Sequence, residues 1–126
     1  MIYYNFSSNI DDVNDFDIKK NGIQIKENSK TVEIRVDVFR STPVFLYRDF
    51  SQNIHVFDKM DFFYDLDTYS KNIDEVGFWE ILLFGASLWI RTLYVDLFQL
   101  PSASSLVINK LTKEFTIKRY WDFNVP

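Results

Sequence analysis

The sequence predicts an α+β domain, antiparallel strands with two helices, and three segments predict it. Thr31 to Phe39 alternates Val32, Ile34, Val36 and Val38 with Glu33, Arg35 and Asp37, the period-two pattern of a half-buried strand. From about Ile73, Val76, Trp79, Leu83 and Ala86 fall along one helical stripe, which Phe78, Ile81 and Leu82 widen. Ser105 to Asn109 and Glu114 to Tyr120 flank Lys110-Leu-Thr-Lys113, a four-residue connection of common hairpin length.

In chain order, Ile2–Phe6 reads as a short strand. Asn9 to Lys20 spaces Ile10, Val13, Phe16 and Ile18 to fit neither period, and reads as a loop or a short helix. Asn21-Gly22 signals a turn, after which Ile23-Gln-Ile25 begins a strand. Ser41-Thr42-Pro43 ends the long strand. Val44 to Tyr47 forms the next, Arg48 to Asn53 turns, and Ile54 to Phe57 returns, giving a run of short antiparallel strands. Asp58 caps a short helix through Leu66. Asn72 and Glu75 have capping-box spacing at the start of the longer helix, and Gly85 ends it or permits close packing. Glu80 is the only charge in that helix's last turns, which predicts burial on most sides. The final hairpin follows the Leu100-Pro101 break.

At 126 residues the chain is one domain, 1–126, with no repeat or linker. Thirteen Phe and seven Tyr fill a core despite only three Gly and three Pro, or leave a surplus for a docking face. Acidic and basic residues are mixed and the net charge is −4, so no concentrated basic surface exists for a nucleic acid. The absence of cysteine removes disulfides, thiolate metal sites and a cysteine nucleophile. A single histidine, His55, excludes multi-histidine metal sites and paired-histidine acid–base work. The N-terminus lacks the pattern of a signal peptide. Val76 to Ile90 is too short for a membrane span of about 20 apolar residues. A cytoplasmic protein without a membrane partner is expected.

Each chemically suggestive residue has a structural reading that outweighs the functional one. His55 projects opposite to Ile54 and Val56, and reads as an exposed or edge-strand side chain rather than an acid–base group. Asp11, Asp12, Asp15 and Asp17 lack the glycine and closing glutamate of a calcium loop and read as a solvated acidic surface. Lys110, Lys113, Lys118 and Arg119 read as strand-edge charges. Met1-Ile2 offers no N-terminal hydroxyl or thiol nucleophile. The aromatic stretch from Phe78 to Trp89 reads as core. The alternative is a partner interface carried by Phe78, Trp79, Phe84 and Trp89. No catalytic residue, metal ligand or cofactor is expected.

Four segments carry a family resemblance by their order: Phe78-Trp-Glu-Ile-Leu-Leu-Phe-Gly85, Arg91-Thr-Leu-Tyr94, Gln99-Leu-Pro101, and a hairpin ending Arg119-Tyr-Trp-Asp122. Arg35-Val-Asp37 through Pro43-Val-Phe-Leu-Tyr47, followed by Ile54-His-Val-Phe57, extends it. Together, over about residues 22 to 122, the chain resembles the N-terminal glutaminase-like domain of the asparagine synthetase family. That family includes related amide-forming enzymes of peptide and β-lactam biosynthesis. The resemblance implies a reduced relative of the layered αββα N-terminal-nucleophile fold.

The departures shape the functional expectation. Glutamine-hydrolysing members expose a cysteine once the initiator Met is removed, whereas Ile2 stands here. The family's carboxylate-holding arginine and its asparagine–glycine motif have no counterpart in Met1–Lys20. The turn glycine before Pro43 is replaced within Arg40-Ser-Thr, and the glycine after Pro101 within Ser102-Ala-Ser. The chain has no Gly-rich phosphate loop for ATP. The resemblance therefore implies a non-catalytic accessory or scaffold domain. Its partner is an ATP-binding synthetase domain, in cis or as a separate subunit, with a peptide or amino acid as a possible substrate to present. The second reading is a free-standing module that binds a peptide or protein at a sheet edge or on the aromatic stripe.

Overall fold

The computed structural model describes residues 1–49, 51–66, 75, 78, 79, 83, 92, 94 and 96–120. Their strands form two sheets. β1 (Ile2–Asn5), β5 (Phe45–Arg48), β6 (Ile54–Phe57) and β7 (Leu97–Gln99) make a four-stranded sheet in the order β1-β6-β5-β7. β2 (Ile10–Asp12), β3 (Ile23–Glu27), β4 (Thr31–Arg35), β8 (Ser104–Asn109) and β9 (Phe115–Arg119) make a five-stranded sheet in the order β2-β3-β4-β8-β9. The chain is α+β with mostly antiparallel pairing.

One core lies between the sheets. Period-two projection sends Ile23, Val32, Ile34, Leu106 and Ile108 of the larger sheet inward, against Leu46, Ile54 and Val56 of the smaller. Val36, Val44 and Leu100, on the connections between sheets, close its end. The opposite face of the smaller sheet carries Tyr47, Phe57 and Leu97. There they pack on Phe63 of α1 (Met60–Tyr64), with Phe45, Phe62 and Tyr94 alongside. The smaller sheet is therefore covered on both faces, which explains why all four residues of β6 are buried.

Several expectations need correction. β1 pairs parallel with β6, and β2 parallel with β3. Neither pair is joined by a hairpin: β1 and β6 are separated by the excursion through the other sheet, β2 and β3 by the Val13–Gly22 connection. β2 and β7 were not legible as strands. The alternation predicts a strand from Thr31 to Phe39, but β4 ends at Arg35; the Val36 amide still reaches the Ser104 carbonyl in the β4–β8 register at 3.0 Å, and the chain then turns, with the Arg40 amide on the Asp37 carbonyl at 3.1 Å. Asp58 does not cap α1. Lys59 holds the N-cap position without a side-chain bond, while the Asp58 carboxylate accepts the Ser7 and Ser8 amides.

Of the expected longer helix, Glu75, Phe78, Trp79 and Leu83 are described and helical. Its predicted burial does not extend to them: Phe78 is 42% exposed, Trp79 50% and Leu83 68%. The two apolar cores among the described residues form without them. Asn72, Ile73, Val76, Phe84, Gly85 and Trp89 lie outside the described residues.

Candidate functional site

The chain passes from β4 to β5 and from β7 to β8 along adjacent paths at one end of the sandwich. Asp37 ties these crossings together. Its carbonyl accepts both the Arg40 amide at 3.1 Å and the Ala103 amide at 3.0 Å. Its carboxylate accepts the Gly22 amide at 2.7 Å and the Ser41 amide at 2.8 Å, and also the Ser41 hydroxyl. Burial pushes the Asp37 carboxyl up, but the Ser41 hydroxyl and the amides of Gly22, Ser41 and Arg40 outweigh it and hold the group below its ordinary value. Tyr120 fastens the end of β9 to the same place, its amide on Ala103 O at 2.8 Å and its hydroxyl on Val36 O at 2.6 Å.

Two residues of this crossing adopt left-handed backbone: Arg40 at φ 51° and Ala103 at φ 53°. A Cβ is disfavoured there, and glycine is the usual occupant. The Arg40 side chain is half-buried. Its Nη2 donates to Gln99 Oε1 at 3.2 Å, while Nε is buried with no hydrogen-bond partner among the described residues. Burial pushes the guanidinium pKa down. Beside Arg40 in sequence, Phe39 is 78% exposed.

On the outer face of the larger sheet, the Arg35 guanidinium lies 4.2 Å from the Phe16 ring centroid and 4.3 Å from that of Tyr120. Its Nε reaches Ser105 Oγ at 3.1 Å and Glu33 Oε2 at 3.5 Å. Stacking between two rings clamps the Val13–Gly22 connection and the end of β9 onto the sheet. This arrangement is a fastening rather than a reaction centre.

His55 projects opposite to Ile54 and Val56 as expected, but that face is covered by α1, so the side chain is buried rather than exposed. Its Nε2 sits 2.9 Å from Asp49 Oδ2, and its ring stacks on Tyr3 at 5.1 Å. Asp49 Oδ1 accepts the Ser51 and Asn53 amides, each at 2.9 Å. Burial pushes the Asp49 carboxyl up, but the His55 bond and the Asn53 and Ser51 amides hold it low. The pair knits the β5–β6 turn. His55 Nδ1 is buried and without a hydrogen-bond partner among the described residues.

The remaining sequence-picked groups stay apart. Asp11 pairs with Lys20 at 3.4 Å, and no group of three acidic or histidine ligands forms among the described residues. Lys110 pairs with Glu27 at the hairpin tips. Phe78 and Trp79 contact each other edge to face, with centroids 5.7 Å apart. No helix among the described residues is long and apolar enough to cross a membrane.

The Asp37 crossing was missed because Asp37 sits at a polar position of the alternation. The one sequence signal was the presence of Arg40-Ser-Thr and Ser102-Ala-Ser where the resemblance leads one to expect glycine. No protein-family profile, curated protein or solved structure matches this chain.

Proposed function

We propose that this chain is a non-catalytic accessory domain of an asparagine-synthetase-like amide-forming enzyme, a reduced form of its glutaminase-type domain. The observation that carries the reading is the left-handed backbone at Arg40 and Ala103. These residues lie within the two triplets that replace the family's turn glycines. A chain that keeps a glycine conformation after losing the glycine is what descent from such a scaffold predicts. The two packed sheets with α1 beyond one of them are compatible with a reduced αββα arrangement.

The lack of cysteine removes the family nucleophile, and His55 is committed to Asp49. The role left is to brace or present. Phe78 and Trp79 are exposed aromatic side chains of the kind that interface cores use, and they form the described part of the proposed contact with an ATP-binding synthetase domain. We assign the protein to the cytoplasm on the same reading.

Light scattering coupled to size-exclusion chromatography, on the chain mixed with a synthetase domain encoded nearby, tests this. A stable complex that Trp79→Ala weakens at least tenfold is expected, with about 1.4 kcal/mol corresponding to each tenfold. Ammonia release from glutamine by the pure chain would overturn the reading. The exposed side chains of β1, Tyr3 and Tyr4, at an edge of the four-stranded sheet among the described strands, favour the second reading, a peptide-binding module.

A further inference from the structure

Among the described residues, β1, β2, β7 and β9 stand at the edges of the two sheets. β9 is the longest of them, with 5 residues against 4 in β1 and 3 in β2 and β7. It has neither a proline nor a bulge to blunt it, and Phe115, Thr116 and Ile117 favour extended backbone.

The ladder with β8 fixes which way its backbone groups point. The Asn109 amide donates to the Glu114 carbonyl and the Tyr120 amide to the Ala103 carbonyl, both at 2.8 Å. Bonding alternates along an antiparallel ladder, so Thr116 and Lys118 also face β8. Phe115, Ile117 and Arg119 then turn their backbone N–H and C=O away from it. Such an edge complements itself in one antiparallel register. A two-fold axis at Ile117 sets Ile117 against its own copy and Phe115 against Arg119, so each outward amide meets an outward carbonyl.

The charges favour the same register. Glu114 and Lys118 are exposed, and neither has an ion-pair partner among the described residues. About that axis, Lys118 lies opposite Thr116 of the other copy and diagonal to its Glu114. Diagonal neighbours stand roughly 7–8 Å apart, a gap that a lysine and a glutamate bridge. The symmetry makes this contact twice, and no like charges stand directly opposite each other. Ile117, which already packs against the shared core, meets its copy beside it.

We propose that β9 is a dimerisation edge, pairing antiparallel with β9 of a second copy and joining two five-stranded sheets into one. Glu114 and Lys118 set the register of that pairing. The contact does not depend on the accessory-domain reading, and its test uses the chain alone.

Sedimentation velocity of the pure chain, from about 10 μM to about 1 mM, is expected to move from one chain to two. Half-association falls at roughly 100 μM for so small a contact. Lys118→Glu and Glu114→Lys each change an exposed side chain and leave the fold intact. Each weakens association at least tenfold, because like charges then meet on both diagonals. An equimolar mixture of the two variants associates as wild type does, since every diagonal again joins opposite charges. Hydrogen exchange reads the backbone: the Ile117 amide slows as concentration rises, whereas the Thr116 amide, already facing β8, does not change. A monomer at every concentration, a dimer indifferent to both reversals, or a mixture that stays monomeric would overturn the proposal.

Discussion

Among the described residues, Arg40, Gln52, Asp96, Ala103 and Lys113 hold φ between 51° and 65°. For an L-residue this conformation costs about 1–2 kcal/mol. Gln52 is exposed in the β5–β6 turn, so Gln52→Gly removes strain without losing packing. It is expected to stabilise the fold by roughly 1 kcal/mol in urea titration. Ala103 is buried, and Ala103→Gly deletes a methyl worth about 0.8 kcal/mol, so its net gain is close to zero. A larger gain at Ala103 than at Gln52 would contradict this accounting.

The three buried carboxylates belong to the same scale. Burial pushes Asp37, Asp49 and Asp58 up, but each is held below 3.8 by the hydrogen bonds it accepts. A depressed folded-state pKa means stability fully present above the unfolded value and lost as pH falls through the folded one. Acid unfolding is therefore expected to begin near pH 4. Asp37→Asn should cost roughly 2 kcal/mol at pH 7. That gap to wild type closes as the pH drops below about 4. A gap independent of pH would show that Asp37 acts by shape rather than charge.

At the scale of elements, β8 holds the larger sheet together, with β4 on one side and β9 on the other. Leu106 and Ile108 project from it into the shared core with no exposed surface. Leu106→Ala should cost about 3 kcal/mol in denaturant titration, far more than Leu111→Ala at the exposed hairpin tip. The final hairpin was readable from the sequence because alternation and turn length agreed. The Val32–Ile34 strand was readable because one face is wet and the other dry. β2 and β7 were not, since three residues give period-two alternation too little length. The alternation puts His55 on the correct face but predicts an exposed or edge-strand side chain, because it says which side a residue faces and not whether a helix or a further strand covers it. The link from Asp37 to Gly22 and Ala103 joins distant segments, and no local pattern encodes it. Arg40 was visible only as a residue out of place.

For the whole molecule, the exposed aromatic pair sets a contrast between folding and association. Trp79→Ala should cost roughly 1–2 kcal/mol, well below a fully buried Trp, because half of the residue is already exposed. The same substitution should weaken the proposed complex with a synthetase domain. A large loss of stability with intact association would place Trp79 in the core of the fold instead.

Each sheet is assembled from distant stretches of chain. Thr31 pairs with Asn109, and Ile2 pairs with Ile54. During synthesis, β4 leaves the ribosome long before β8 exists to flank it. Until then, one side of β4 is an open strand edge beside the uncovered Val32 and Ile34 side chains. β2, β3 and β4 can pair with one another as they emerge, but the β8 side of β4 stays open until β8 has been made. An open edge that persists favours aggregation, so the yield of folded protein is expected to rise with chaperone supply.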